Sequence, residues 1–289
     1  MADEPTTLAR LAAALAALRE ARGAQDAAAP ALSLGEARAL AAEYGCSLRT
    51  VEEQALLAGL APTRYARNLG TTGLRGQVHL LRACVAVVGC GGLGGWIVEA
   101  LARMGVGRLV LIDGDCFEES NLNRQMGCTE ANLGRPKAAC LAERVRAVNG
   151  AVEVTAHRVR LGAGNAAALL DGADVVVDAL DTLPDRLTLA RAVAALGLPL
   201  VHGAIGGYTG QVMTILPGDA GLAALYSEEA SPARGVEVDL GNPAATPMMV
   251  AAWQAQEVVK LLLGEGEPIR NRLLVLDAEY GEVTEIRLS

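Results

Sequence analysis

The chain has 289 residues, 52% of them apolar and 20% charged, which is enough apolar material for a full core and excludes a disordered protein. Lys and Arg number 25 against 33 Asp and Glu, a net charge of -8, and this argues against a general nucleic-acid binder, which needs a dense basic surface to displace counterions from phosphates. No stretch approaches the ~18 uninterrupted apolar residues of a membrane span.

Asp3 and Glu4 stand where a signal peptide would carry basic residues. Six cysteines (Cys46, Cys84, Cys90, Cys116, Cys128, Cys140) form no C-x-x-C pair. That is neither a disulfide framework nor a zinc spacing, so a soluble cytoplasmic protein with reduced thiols is expected.

Residues 1–60 read as a helical module. Leu8, Leu11, Ala12 and Leu15 recur at helical spacing, and an Ala/Pro stretch near 27–31 ends that helix. Ser33 caps a second helix through Tyr44, Gly45 breaks it, and Ser47 caps a third through Leu57 before Gly59. The spacing is that of a helix–turn–helix, but Glu52 and Glu53 outweigh Arg49 and would repel a duplex. A packing or partner-docking module is expected instead.

Residues 61–289 form the second unit, and from residue 83 strands and helices alternate. Val85–Val88, Leu109–Ile112, Val152–His157, Val175–Asp178 and Leu200–Val201 read as strands; Ile97–Met104, Pro136–Val148 and Arg186–Leu196 read as helices. That order implies a doubly wound α/β fold with a mostly parallel sheet. At the end, Gln211–Leu216, Leu273–Leu276 and Val283–Leu288 read as an antiparallel extension around a helix at 248–263.

Gly89-Cys90-Gly91-Gly92-Leu93-Gly94 satisfies G-x-G-x-x-G between a strand and a helix. Without side chains, such a turn lets backbone N–H groups approach a phosphate at the positive helix end. Asp113 ends the next strand, at the distance where a carboxylate accepts ribose hydroxyls. The motif alone does not separate a dinucleotide from ATP. Asn121, Arg124 and Lys137 follow, and two fixed cations beside a neutral amide suit a triphosphate better than a dinucleotide. Val175–Val177 runs into Asp178 and Asp181; Asp178 is closer to the strand and structural in position, whereas Asp181 lies where a carboxylate can hold Mg²⁺. Asp185 and Arg186 are expected to pair at the rim or to do nothing.

These residues resemble the MoeB/ThiF/HesA superfamily, bacterial relatives of ubiquitin-activating enzymes. The resemblance runs from Arg64-Tyr65-Ala66-Arg67 and Gly76-Gln77 through the glycine turn, Asp113, Asn121–Gln125, Gly134–Lys137 and Asp178–Asp181, to His202-Gly203-Ala204, Gly210-Gln211 and Met249–Leu263. It implies a ThiF fold and an adenylyltransferase that activates the C-terminal glycine of a small ubiquitin-fold sulfur carrier ending in Gly-Gly. The acyl-adenylate would serve sulfur transfer in a molybdenum or tungsten pterin, thiamine or amino-acid pathway. By the resemblance Gly91 and Gly92 lie against ATP and Asp113 holds the ribose. Asn121, Arg124 and Lys137 bind phosphates, Asp181 binds Mg²⁺, and Arg67 reaches the triphosphate of a neighbouring subunit in a homodimer.

Two departures bear on chemistry. The C-terminal half has no cysteine, so no zinc is expected, and the Gly218–Gly241 stretch is expected to be a mobile crossover loop. Near Asp239–Asn242 no thiol can capture the carrier covalently, so a separate sulfur donor is implied. Cys90 and Cys128 read as buried small hydrophobes. The competing readings are a tRNA threonylcarbamoyladenosine dehydratase-like enzyme, a nicotinamide-dependent oxidoreductase and a non-catalytic carrier-binding scaffold.

Overall fold

In the computed structural model, which describes residues 6–23, 29–226 and 237–288, the chain opens with helices α1 (Thr7–Arg22), α2 (Leu34–Tyr44) and α3 (Leu48–Leu57). Their boundaries follow the caps. Ser33 and Glu36 close a capping box, Gly45 ends α2 at φ 61°, and the Ser47 side chain accepts the Thr50 N–H. Leu11, Leu15, Ala37, Val51 and Ala55 bury between the three helices. A short parallel ladder joins β1 (Ala31–Leu32) to β2 (Ala61–Pro62).

This module is fastened to the rest of the chain. Helix α3 packs on α4 (Leu69–Arg82), Arg49 pairs with Glu153, and Glu53 pairs with Arg82. Glu52 is only 1% exposed. The acidic face expected to repel a duplex is therefore largely internal, because these charges meet Arg partners across the contact. Gly70, Gly73 and Gly76 weaken helix propensity along α4. The helix forms with a kink at Gly73, φ 62°, because Val78, Leu80 and Leu81 all bury.

The α/β unit continues with β3 (Cys84–Val88), α5 (Gly92–Met104), β4 (Arg108–Ile112), α6 (Lys137–Val148), β5 (Glu153–His157) and α7 (Ala166–Leu169). Then come β6 (Val175–Asp178), α8 (Leu183–Ala195), β7 (Leu200–Gly206), β8 (Thr209–Ile215), α9 (Glu237–Leu240), α10 (Ala245–Leu263), β9 (Arg272–Asp277) and β10 (Glu282–Arg287). The sheet runs β10-β9-β8-β7-β6-β3-β4-β5. Strands β7 to β5 in that order are parallel, and β8, β9 and β10 pair antiparallel. The doubly wound fold and its antiparallel extension are as the sequence predicts.

Strand periodicity explains the two cores. Val85 and Val87 face Leu101, Leu141 and Val258 of α5, α6 and α10, while Ala86 and Val88 face Leu170, Leu189 and Val193 beside α7 and α8. Each fully buried Val or Leu contributes about 1.5–3 kcal/mol. Strand β3 has β4 on one side and β6 on the other, so the crossovers diverge and a crevice opens at the carboxyl ends of these strands.

Part of the expected mobile loop is packed. Gly221–Ala224 forms a short 3₁₀ turn whose Leu222 buries against Leu187, Met213 and Leu273, an apolar anchor within the stretch. Residues 227–236 of that stretch lie outside the described residues.

Candidate active site

The glycine turn closes the crevice from below. Gly89 has φ 95°, and a Cβ there would come within 2.4 Å of the Ala179 carbonyl oxygen. Only glycine lets this turn pass under the β6–α8 loop. Gly91 precedes the first turn of α5, whose leading N–H groups have no intrahelical acceptor and point out of the helix end. Cys90 is 1% exposed, and burial first, then the Asp113 charge, push its thiol well up. It fills the turn as a small buried side chain.

Asp113 Oδ2 accepts the Cys90 N–H at 2.6 Å and its Oδ1 accepts the Asp115 N–H at 2.7 Å. Lys137, 8% exposed, brings Nζ to 3.3 Å from Asp115 Oδ2. A cleft of about 240 Å³ is lined by Gly89, Gly91, Asp113, Lys137 and Asp181, with Gln125 beside them. Half of the expected nucleotide residues thus converge on one crevice.

At the end of β6 the two aspartates differ in their surroundings. Asp178 is 0% exposed and its Oδ2 lies 2.7 Å from His202 Nδ1, while Oδ1 accepts the Leu180 N–H at 3.0 Å. Burial alone would raise the Asp178 pKa, but Arg186, His202 and the Leu180 N–H together hold it below the usual range. Asp181 is exposed in the cleft and has no hydrogen bond or ion pair among the described residues. A single free carboxylate at a phosphate-sized opening fits Mg²⁺, which takes few protein oxygens and keeps several waters.

The expected Asp185–Arg186 pair does not form. Arg186 is 8% exposed and turns inward, donating to the Gly203 carbonyl at 2.8 Å and the Leu180 carbonyl at 2.5 Å. Asp185 instead meets Arg160 in a two-pronged contact, 2.8 and 2.6 Å from Nη2. Neighbours along a helix face different ways, so Asp185 points to the rim and Arg186 to the core. Arg160, which no motif or spacing marks, lines the cleft mouth.

Five expected residues stand just outside the lining. Gly94 sits in the first turn of α5, and Gly92 faces Pro247 and the Arg124 side chain. Arg124 Nη1 donates to the Ser120 carbonyl at 3.1 Å and Asn123 Oδ1 at 2.8 Å. Asn121, 7% exposed, accepts the Glu118 N–H at 3.0 Å and so shapes its own loop. Arg67 is exposed, does not line the cleft, and has no hydrogen bond or ion pair among the described residues. Gln125, quoted within the Asn121–Gln125 stretch but given no role, lines the cleft with its Oε1 buried and unpartnered.

The model of the ThiF family matches residues 65–289. The chain is 40% identical over 218 residues to the SAMP-activating enzyme E1 of Haloferax volcanii, covering 74% of this chain and 81% of that protein. It is 39% identical over 224 residues to the sulfur carrier protein adenylyltransferase of Thermus thermophilus, covering 74% and 83%. The adenylyltransferase and sulfurtransferase MOCS3 of Mus musculus is 38% identical, and the match spans 50% of its length. Among solved structures, E. coli MccB with ATP superposes with a TM-score of 0.68 at 20% identity, over 78% of this chain and 72% of that one, a likeness of fold.

Proposed function

The chain belongs to the ThiF family, and on that premise we propose that it uses ATP to adenylate the C-terminal glycine carboxylate of a small ubiquitin-fold sulfur-carrier protein of the MoaD or ThiS type. The observation that carries this reading is the convergence of the glycine turn, Asp113, Lys137 and Asp181 on one cleft at the carboxyl edge of the parallel strands. The names of the two relatives matched over most of their length support the same chemistry.

In the proposed reaction the carrier carboxylate attacks the α-phosphorus and pyrophosphate leaves. Both partners are anions, and the nucleophile is already ionised at neutral pH, its pKa being about 3.5. The protein therefore has to supply alignment and positive charge, not a base. Asp113 holds the ribose and fixes where the phosphates begin. Lys137 stands over them with its stem buried, and Arg124 turns from its loop carbonyl to the phosphates when they arrive. Asp181 holds Mg²⁺, which when bound neutralises phosphate charge. Arg67, outside its own cleft, serves the cleft of a second copy in a homodimer. Sulfur then comes from a separate donor, since no thiol lies in the Gly218–Gly241 stretch.

Exchange of labelled pyrophosphate into ATP tests the reading. The wild-type chain with a Gly-Gly carrier exchanges label, and Asp181→Ala abolishes exchange with its melting temperature unchanged. A variant that still exchanges at the wild-type rate removes Asp181 from the site.

A further inference from the structure

Glu52 belongs to α3, ahead of the residues that the ThiF model matches. A carboxylate that is 1% exposed loses several kcal/mol of hydration, and a well-packed apolar residue would serve stability as well or better. Its surroundings indicate a different use. Glu52 Oε1 lies 3.2 Å from Arg64 Nε. Arg64 also donates to Asn149 Oδ1, and Asn149 Nδ2 donates to the Tyr65 hydroxyl at 2.9 Å. Asn149 is itself anchored on the Ala102 carbonyl at 2.9 Å. Burial, and after it the Glu52 charge, push the Tyr65 phenol far above its ordinary value, so the ring sits beside the carboxylate as a neutral group.

The same segment is held from its other end. Asn68 Nδ2 donates to Gln77 Oε1 at 3.2 Å, and the buried Gln77 donates to the Met104 carbonyl at 2.7 Å. Between these two anchors stands Arg67, whose guanidinium is exposed and without a partner among the described residues. The backbone around Arg67 is fixed while its side chain is free. That is what a cation presented to another molecule requires, because ordering the loop beforehand lowers the entropy lost on contact.

We infer that Glu52 is a positioning residue for Arg67: the N-terminal module clamps the Arg64–Tyr65 turn so that Arg67 is presented to the triphosphate in a second copy's cleft. This rests on the role proposed above for Arg67. It makes the module part of the nucleotide machinery although it touches no nucleotide.

Titration calorimetry on the full chain with ATP and with AMP, both with Mg²⁺, tests the clamp. AMP lacks the outer phosphates and reports whether the cleft is intact. Glu52→Gln is expected to weaken ATP about 3- to 10-fold and to leave AMP unchanged. The double variant with Arg67→Ala should bind ATP no more weakly than Arg67→Ala alone, since the two act in one line. Arg64→Gln breaks the same clamp from its more exposed side, should show the same pattern, and replaces Glu52→Gln if that variant does not fold. Equal weakening of ATP and AMP, full additivity with Arg67→Ala, or no effect on ATP each overturns the clamp. If Arg67→Ala itself binds ATP like the wild type, the Arg67 role and the clamp both fall. Adenylation is judged separately, by pyrophosphate exchange.

Discussion

The carboxylate of Asp113 accepts the backbone N–H of Cys90 at 2.6 Å, so the residue that follows β4 also fixes the middle of the turn that follows β3. Its other oxygen takes the Asp115 N–H at 2.7 Å, which in turn sets the carboxylate facing Lys137. One acid thereby orders both walls of the cleft. Each oxygen keeps a lone pair for a ribose hydroxyl. Burial raises the Asp113 pKa, while the two N–H groups and Lys137 oppose it, and a hydroxyl donor would oppose it further.

Because the ribose is common to all adenine nucleotides, Asp113→Ala should weaken ATP and AMP by the same factor. Loss of hydrogen bonds to a charged acceptor sets that factor at about 10- to 100-fold. Parallel titrations of the two nucleotides check this. A loss confined to ATP would move Asp113 from the ribose to the phosphates.

The glycines of the turn differ in kind, and substitution separates them. A Cβ on Gly94 would lie 1.9 Å from the Gly89 carbonyl oxygen, whereas on Gly91 it would meet the Gln125 amide nitrogen at 3.5 Å. Gly94→Ala must push backbone against backbone and should cost about 3 kcal/mol of stability. Gly91→Ala should keep its stability and lose nucleotide affinity, because the added methyl enters the cleft. Urea unfolding and ATP titration of both variants read the two effects apart.

The strands and caps were legible because their signals are local. Runs such as Val85–Val88 and Val175–Val177 bury on both faces, and Ser33, Gly45 and Ser47 meet fixed backbone needs. Helix α4 was not legible, since its glycines lower propensity and only tertiary burial restores it. The cleft residues near a motif were legible for the same local reason: Gly91, Asp113 and Asp181 follow strand ends, and Lys137 opens α6 behind Pro136. Arg160 and Gln125 were harder. Arg160 reaches the rim only because β5 lies beside β4, and the Gln125 amide has no spacing rule that marks it. Glu52 was legible as a charge but not as a buried one, because its partner Arg64 sits in the turn after β2 and meets it only once the chain has folded back.

A composite site predicts complementation. A heterodimer of Arg67→Ala with Lys137→Ala places both lesions in one cleft and leaves the other whole. Doubly tagged heterodimers should recover about half of the wild-type exchange, one of two isologous sites, while each parent homodimer is nearly silent. Absence of recovery would contradict Arg67 acting across the interface.

The buried pair behind the cleft sets an acid limit. His202 and Asp178 are both 0% exposed, with 2.7 Å between Nδ1 and Oδ2. Burial lowers the His202 pKa from its ordinary 6.5 despite the Asp178 hydrogen bond and charge, and Arg186 adds to the lowering. His202 is therefore neutral, donating from Nδ1, and Arg186 balances Asp178. Below pH 6.5 the unfolded chain takes up a proton at this position that the folded chain refuses. Stability is then full above about pH 6.5 and falls as pH drops, by at most about 1.4 kcal/mol per pH unit. Asp178, whose folded pKa lies below 3.8, adds a second loss only as pH falls through that lower value. Between pH 8 and 5 Asp178 stays ionised in both states, so the difference in slope between the wild type and a His202 variant reports the imidazole. His202→Gln keeps an N–H donor for Asp178 but does not titrate, so its urea midpoints should fall less steeply below pH 6.5 than those of the wild type. Equal slopes in the two proteins would assign the acid sensitivity to another group.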